Sequence, residues 1–327
     1  MCAHIFLLPC LLLFTSSLIS GSSSAHENSK TAFSGPACNV SHEIIFPQPS
    51  IRLQSVIHVA IVGCGGKASH EITGLLWSLA EQPQREYISL HLVLDSKVYD
   101  YMINCLQLLR TLFHSIDVYH IDYVKNLPCG RDGSCFHCST CKLFLYDILS
   151  NHVKHVLYLD TDTLVLGDLS ELWQVWSNKP LEPVLFIAVR EAGFAYQSRA
   201  KKQVFYGPTG INSGVLLMNL GIMRQLGITV KVLMDTNSAP LYWPDQDLLN
   251  NWCHRKYHTC AFLNCKWNIR IDYLLNDNDE CKEYARSPGD GILHGNRKVF
   301  HKRSSNPQQF EMHNNNSRNL KKFCKMG

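Results

Sequence analysis

One stretch constrains this chain more than any other: His155 to Gly167 reads HVLYLDTDTLVLG, an apolar run stopped by two acids. Val156 to Leu159 carry no polar alternation, Asp160-Thr161-Asp162 interrupts them, and apolar residues resume at Leu164. A strand buried on both faces reads this way, because helices cover both sides of a parallel sheet. Alternation along an extended chain projects Asp160 and Asp162 to the same side. Two carboxylates that close repel unless a cation or a proton intervenes. Their hard oxygens suit Mn²⁺, with Mg²⁺ as the alternative, and those ions favour diphosphates. The competing reading is a solvated turn between two strands.

The flanking pattern supports a sheet protein. His58 to Val62 forms a short apolar strand followed by Gly63-Cys64-Gly65-Gly66, where glycine gives either a close approach to a nucleotide or a tight turn. A helical stretch at Glu71–Leu79, a strand at Ile88–Leu94, a helix at Tyr99–Phe113 and a strand at Ile116–Ile121 follow. Alternating strands and helices predict an α/β, doubly wound, mostly parallel sheet, with its ligand crevice at the carboxyl ends of the strands. Asp160 to Asp162 occupies one of those ends.

Further motifs converge on that crevice. Lys142 opens the helix Leu143–Leu149, where a cation opposes the helix dipole; it faces a phosphate or is an ordinary surface lysine. Asp168 caps a helix whose Leu169, Leu172, Trp173 and Trp176 form a core stripe. Asn212-Ser213-Gly214 precedes the buried strand Val215–Asn219, placing an amide and a hydroxyl at the crevice. Asp245-Gln246-Asp247 begins another helix, as cap residues or as site residues. His294, beside Gly295, ends a further strand and could complete a metal site with the two aspartates.

The ends of the chain and its cysteines point to an address. Residues 1–25 hold a short apolar run from Ile5 to Phe14, and Ser23 and Ala25 precede a potential cut, so a cleaved signal peptide and a signal-anchor both stay open. Residues 26–56 are polar with Pro36, Pro47 and Pro49, as in a stem or linker; residues 306–327 form a basic tail with Lys321, Lys322 and Lys325. The chain has 14 cysteines, an even number of them beyond the leader, and sequons at Asn39 and Asn315. Cys129, Cys135, Cys138 and Cys141 have spacing open to zinc, but an oxidising lumen favours disulfides. A net charge of +4 gives no basis for a nucleic-acid partner.

The order YLDTDTLVL, GINSGVLLMNL, WPDQDLLN and ILHGNRKVFH resembles the retaining glycosyltransferases of family 8 across most of residues 56–302. YGPTGINSGVLLMNL, CKWNIRIDY and HGNR are similar to the glucoside xylosyltransferase branch. That resemblance implies a single catalytic domain over 57–305 of the nucleotide-sugar-binding GT-A type. It implies transfer of xylose from UDP-xylose, in α1,3 linkage, to O-linked glucose on EGF-like repeats of Notch-type glycoproteins. Another UDP-sugar or acceptor, and an inactive lumenal binding protein, are the alternatives. The resemblance places the enzyme in the Golgi or endoplasmic reticulum, secreted or membrane-anchored through its N-terminal segment.

By the same resemblance, Asp160, Asp162 and His294 hold the metal, and Gln246, Asp245 and Asn212 lie at the reacting sugar. Gly63, Lys142, Asp160, Thr161, Asp162, Ser213, Gly295 and Lys298 line the donor. The sequence departs from the wider family's His-x-x-Gly-x-x-Lys-Pro-Trp, since Gly295 follows His294 directly and Phe300 stands near the Trp position. The segment between Met223 and Tyr242 is short beside the xylosyltransferases.

Overall fold

Strands with apolar residues on both faces need cover on both sides, and the fold supplies it. A computed structural model describes residues 40–45, 56–121, 137–176, 183–192, 204–235, 237, 241–275, 279–302 and 306–325. The leader 1–25, Asn39, Cys129 and Cys135 lie outside the described residues.

Eight strands form the main sheet: β1 (Val40–Ile45), β2 (Ile57–Gly63), β3 (Ile88–Leu94), β4 (Ser115–Ile121), β5 (His155–Leu159), β7 (Phe186–Arg190), β8 (Ile211–Asn219) and β9 (Cys260–Phe262). Their order is β1-β4-β3-β2-β5-β8-β7-β9. The pairs β4-β3, β3-β2, β2-β5 and β7-β9 are parallel, whereas β8 runs antiparallel to β5 and β7. A second sheet, β10 (Ile269–Arg270), β11 (Ile292–His294) and β6 (Thr163–Val165), is small but decisive for the site.

Alternation divides the core between the two faces. Val59, Ile61, Leu157 and Leu159 join one buried cluster with α1 (Gly65–Ala80) and α2 (Ser96–Leu109). Ala60, Val62, Val156 and Tyr158 join another with Leu143, Leu248 and Trp252. At roughly 25 cal/mol per Å² of apolar surface, these two layers provide the main drive to fold. Helix α2 starts earlier than the expected Tyr99 because Asp95 caps it, its Oδ1 accepting from Val98 N at 2.9 Å. Trp173 is core, as its spacing predicts, and Trp176 stacks on His155.

Two segments depart from the sequence reading. Within the stretch read as a stem, Val40–Ile45 pairs antiparallel with β4 at the sheet edge. The residues read as a basic tail form the helix Pro307–Phe323, capped by Asn306 and packed on α1. A Cβ on Gly74 would overlap the His313 ring, so the missing side chain is the notch that seats this helix. Ser317 Oγ lies 2.7 Å from Thr73 Oγ1, and Cys105–Cys324 ties the helix end to α2. The polar residues that suggested a tail cover its outer face.

Disulfides Cys64–Cys138, Cys105–Cys324, Cys253–Cys260 and Cys265–Cys281 occur among the described residues. Cys138 is thereby committed to a disulfide, which removes it from a zinc set. No helix among the described residues is long and apolar enough to cross a membrane.

A half-buried histidine couples this fold to pH. His58 Nδ1 lies 3.0 Å from His91 Nε2, and His91 Nδ1 lies 3.3 Å from Asp117 Oδ2. Burial, with His91 beside it, pushes the His58 imidazole down to about 3. The unfolded chain takes up that proton near the ordinary value of 6.5 and the folded chain does not. Stability therefore falls as pH drops below that value. Chemical denaturation between pH 7 and 5 will show this loss, and His58→Gln will flatten it; an equal slope in both proteins contradicts the assignment.

Candidate active site

Strand β5 ends at Leu159, and Asp160-Thr161-Asp162 forms the turn into β6. The two acids thus converge through a turn and not through strand alternation: the turn of the competing reading is present, and it brings both carboxylates to one place. Asp160 N donates to Gly214 O at 2.8 Å, Thr163 Oγ1 to Asp160 O at 2.8 Å, and Gly295 N to Asp162 O at 2.6 Å. Strand β6 pairs antiparallel with β11 so that Thr163 faces His294 in register. A histidine far along the chain arrives beside the turn by sheet pairing.

His294 Nε2 lies 3.3 Å from Asp162 Oδ1 and 3.9 Å from Asp160 Oδ2. One ligand atom from each of the three residues falls within 4.8 Å of the others. The other oxygen of Asp160, Oδ1, accepts from Lys142 Nζ at 2.9 Å and from Tyr158 Oη at 2.6 Å, which orients Oδ2 toward His294. Burial raises the Asp162 carboxyl, but the His294 imidazole outweighs this and holds it below the usual range. Burial lowers His294, and Asp162 and Asp160 raise it above its ordinary value. Two carboxylate oxygens and one imidazole nitrogen, drawn together with unequal partners elsewhere, fit a hard divalent cation.

Room for the imidazole comes from Gly214. A Cβ there would overlap His294 Cε1 and lie 3.0 Å from Asp160 Oδ2. Gly295 plays a similar part, since a Cβ would overlap the Phe300 ring.

A second group of predicted residues packs against the first. The helix Pro244–Arg255 splits its acidic triplet between two tasks. Asp247 Oδ2 accepts from Tyr242 N at 2.6 Å and Trp243 N at 2.9 Å, fixing the helix start. Asp245 turns inward, accepting from Ser213 Oγ at 2.8 Å and pairing with Lys142 Nζ at 2.8 Å. Burial raises Asp245, but the Lys142 ammonium holds it below its ordinary value. Lys142, 1% exposed, therefore spans Asp160 and Asp245. Its partners are carboxylates, where the sequence suggested a phosphate.

Gln246 Oε1 accepts from Ser213 N at 3.1 Å and from Asn212 Nδ2 at 3.0 Å. Asn212, Ser213, Asp245, Gln246, Lys142, Asp160, Asp162 and His294 thus form one cluster. Thr161 faces the other way, donating to Glu71 Oε2 of α1 at 2.7 Å. Gly63 and Lys298 sit apart from the bonded cluster. Gly63 is packed in β2, where an added Cβ would come 3.2 Å from Leu94 Cδ2. Lys298 is exposed and has φ 63, an uncommon backbone conformation for a residue with a side chain.

The sequence reading missed several members. Glu191, just beyond β7, accepts from Asn212 Nδ2 at 3.0 Å and Gln246 Nε2 at 2.9 Å through Oε2, while Oε1 pairs with Arg270. Burial raises Glu191, but Arg270 overrides it and holds the carboxyl low. Asn268 Oδ1 lies 2.9 Å from His294 Nδ1. Glu191 carried a signal, an acid one residue past the apolar run Phe186–Val189. Asn268 and Arg270 lie inside CKWNIRIDY, a motif noted without roles.

Comparison with known proteins gives a family and a fold. The family described as "Glycosyl transferase family 8" matches residues 112–293. Glucoside xylosyltransferase 1 of Rattus norvegicus is 27% identical over 263 residues, covering 75% of this chain and 59% of that protein. Glucoside xylosyltransferase 2 of Mus musculus is 33% identical over 179 residues, covering 50% of this chain and 40% of that protein. The chain thus spans well under two thirds of the length of either relative. Among solved structures, apo mouse xyloside xylosyltransferase 1 is similar with a TM-score of 0.54 at 19% identity, covering 74% of this chain and 98% of that one. Galactosyltransferase LgtC, in complex with donor and acceptor sugar analogues, gives 0.57 at 17%, covering 79% and 96%. Both structural likenesses are of fold: a central, mostly parallel sheet with flanking helices.

Gly214→Ala tests the space beside His294. Overpacking there is expected to cost about 1–3 kcal/mol of stability and to displace the imidazole. Denaturant unfolding and a Mn²⁺ titration of the same variant check this; wild-type metal binding by Gly214→Ala contradicts it.

Proposed function

Because the chain belongs to glycosyltransferase family 8, we propose that it is a retaining transferase that moves xylose from UDP-xylose. The proposed acceptor is O-linked glucose on EGF-like repeats of Notch-type glycoproteins, joined in α1,3 linkage. The convergence of Asp160, Asp162 and His294 beside the amides of Asn212 and Gln246 carries this reading. The names of the similar proteins, glucoside xylosyltransferases, support xylose as the sugar and a glucoside as its acceptor.

Asp160, Asp162 and His294 would hold a divalent ion, Mn²⁺ or Mg²⁺. Bound there, it would neutralise charge developing on a departing diphosphate. The rest of the site falls to the chain's own groups. Lys142 holds Asp160 and Asp245 in place and balances their charge. Gln246 is a poor nucleophile and is pinned by Ser213 N, so it stabilises an oxocarbenium-like sugar in preference to bonding with it. Retention then follows from attack of the acceptor hydroxyl on the face the diphosphate leaves, its proton passing to a donor phosphate oxygen. Asn212 and Asp245 support the same sugar.

The domain reading takes 1–25 as leader and a catalytic domain wider than the expected 57–305, since β1 (Val40–Ile45) belongs to its main sheet and the helix Pro307–Phe323 packs on α1. Its place is the lumen of the Golgi or endoplasmic reticulum, which the four described disulfides suit. Transfer of another sugar is the second reading, favoured by the fold shared with a galactosyltransferase.

Incubation with UDP-xylose, Mn²⁺ and a glucosylated EGF-repeat peptide should add one pentose, read by mass spectrometry; transfer of a hexose from UDP-glucose or UDP-galactose instead sinks the xylose reading. Asp162→Asn should lower turnover by about 100- to 1000-fold with the fold retained. A variant that keeps its rate with Mn²⁺ removed contradicts the metal assignment.

A further inference from the structure

Four side chains in the site carry amide or imidazole groups whose direction is ambiguous by shape alone. Here two backbone N–H groups remove the ambiguity. Gly214 N can only donate, and it lies 3.0 Å from Asn212 Oδ1, so that atom is the carbonyl oxygen. The same oxygen lies 2.8 Å from Asn268 Nδ2, which must then be the donor. Asn268 Oδ1 is left facing His294 Nδ1 at 2.9 Å, so the imidazole carries its proton on Nδ1. With Nδ1 committed to Asn268, Nε2 is the nitrogen left to give up a proton to a metal, and it is the atom turned toward Asp160 and Asp162.

Ser213 N fixes the other end of the chain of amides in the same way. It donates to Gln246 Oε1, which leaves Gln246 Nε2 to donate to Glu191 Oε2. Asn212 Nδ2 donates to both Gln246 Oε1 and Glu191 Oε2. One directional chain thus runs from His294 through Asn268 and Asn212 to Gln246 and Glu191.

Asn268 is fully buried and rigidly held at the middle of it. It ends the turn Cys265–Asn268, whose first residue is bonded to Cys281, and it leads directly into β10, paired with β11. We propose that Asn268 is a positioning residue with two separable outputs: its carbonyl holds the His294 imidazole with Nε2 toward the metal site, and its amide, together with Gly214 N, holds the side chain of Asn212 in place beside Gln246. This rests on the function proposed above.

Two variants separate the outputs. Asn268→Ala removes both bonds; Asn268→Asp keeps an acceptor for His294 Nδ1 but has nothing to donate to Asn212. Mn²⁺ affinity in the presence of UDP is read by electron paramagnetic resonance on the full chain, and kcat and KM for UDP-xylose hydrolysis are read at saturating Mn²⁺. Asn268→Ala should bind Mn²⁺ about 10- to 100-fold more weakly, as loss of a ligand's supporting bond does elsewhere. Asn268→Asp should hold Mn²⁺ at least as tightly as the wild type while kcat falls about 10- to 100-fold with little change in KM. Should the alanine variant fail to fold, the near-isosteric aspartate variant decides the matter alone. Equal loss of both readouts in Asn268→Asp overturns the proposal, as do wild-type values in either folded variant. Absence of Mn²⁺-dependent UDP binding in the wild-type protein overturns the metal reading together with this one, whereas normal wild-type binding with unaltered variants overturns this one alone.

Discussion

Charge balance in a confined space governs this site. Asp160, Asp162 and Glu191 at the ends of strands and Asp245 at the start of a helix bring four carboxylates together, and like charges so placed would neutralise or separate. Lys142 and Arg270, both essentially inaccessible, answer three of them, and His294 answers the fourth. Removing one partner from a buried pair costs on the order of 3–5 kcal/mol, because the other is left uncompensated. The basic residues are accordingly structural prerequisites of the site. Asp160 then has one oxygen bound to Lys142 and Tyr158 and the other turned toward His294.

The second, small sheet turns that balance into a shape. Its three strands come from two distant parts of the sequence, and each delivers something: β6 follows the acidic turn, β11 ends in His294, and β10 follows Asn268. Glycines let these pieces approach. Gly214 leaves space for the imidazole, and Gly291 lies so close to Lys266 O that any side chain would collide with that carbonyl. Phe300, stacked on His313 of the C-terminal helix, links the segment after His294 to α1. The end of the chain is in this way part of the support for the site.

The main strands and several members of the candidate cluster were legible in the sequence because each is a local signal. Apolar runs marked β2, β3, β5 and β8, and polar interruptions marked Asp160, Asn212 and His294 at their ends. What depended on partners was not legible. The strand argument gave the right side for Asp160 and Asp162 for a reason the turn replaces. Lys142 looked free to meet a phosphate, since nothing local showed Asp245 waiting for it. Asp245 and Asp247 are alike as letters, yet one faces the cluster and the other caps a helix. Asn268 acts through a histidine 26 positions further along the chain and an asparagine on another sheet, which no spacing rule connects. The C-terminal helix was hidden by its polar outer face, and its seat is a glycine in α1.

The central claim is that two acids and one imidazole share a single divalent ion that also holds the donor's diphosphate. Crystals grown with Mn²⁺ and UDP, measured at a wavelength where manganese scatters anomalously, test it most directly. The account predicts one anomalous peak bounded by Asp160 Oδ2, Asp162 Oδ1 and His294 Nε2, with diphosphate oxygens completing its shell. A UDP molecule bound without a peak there, or a peak that His294 does not touch, would contradict it.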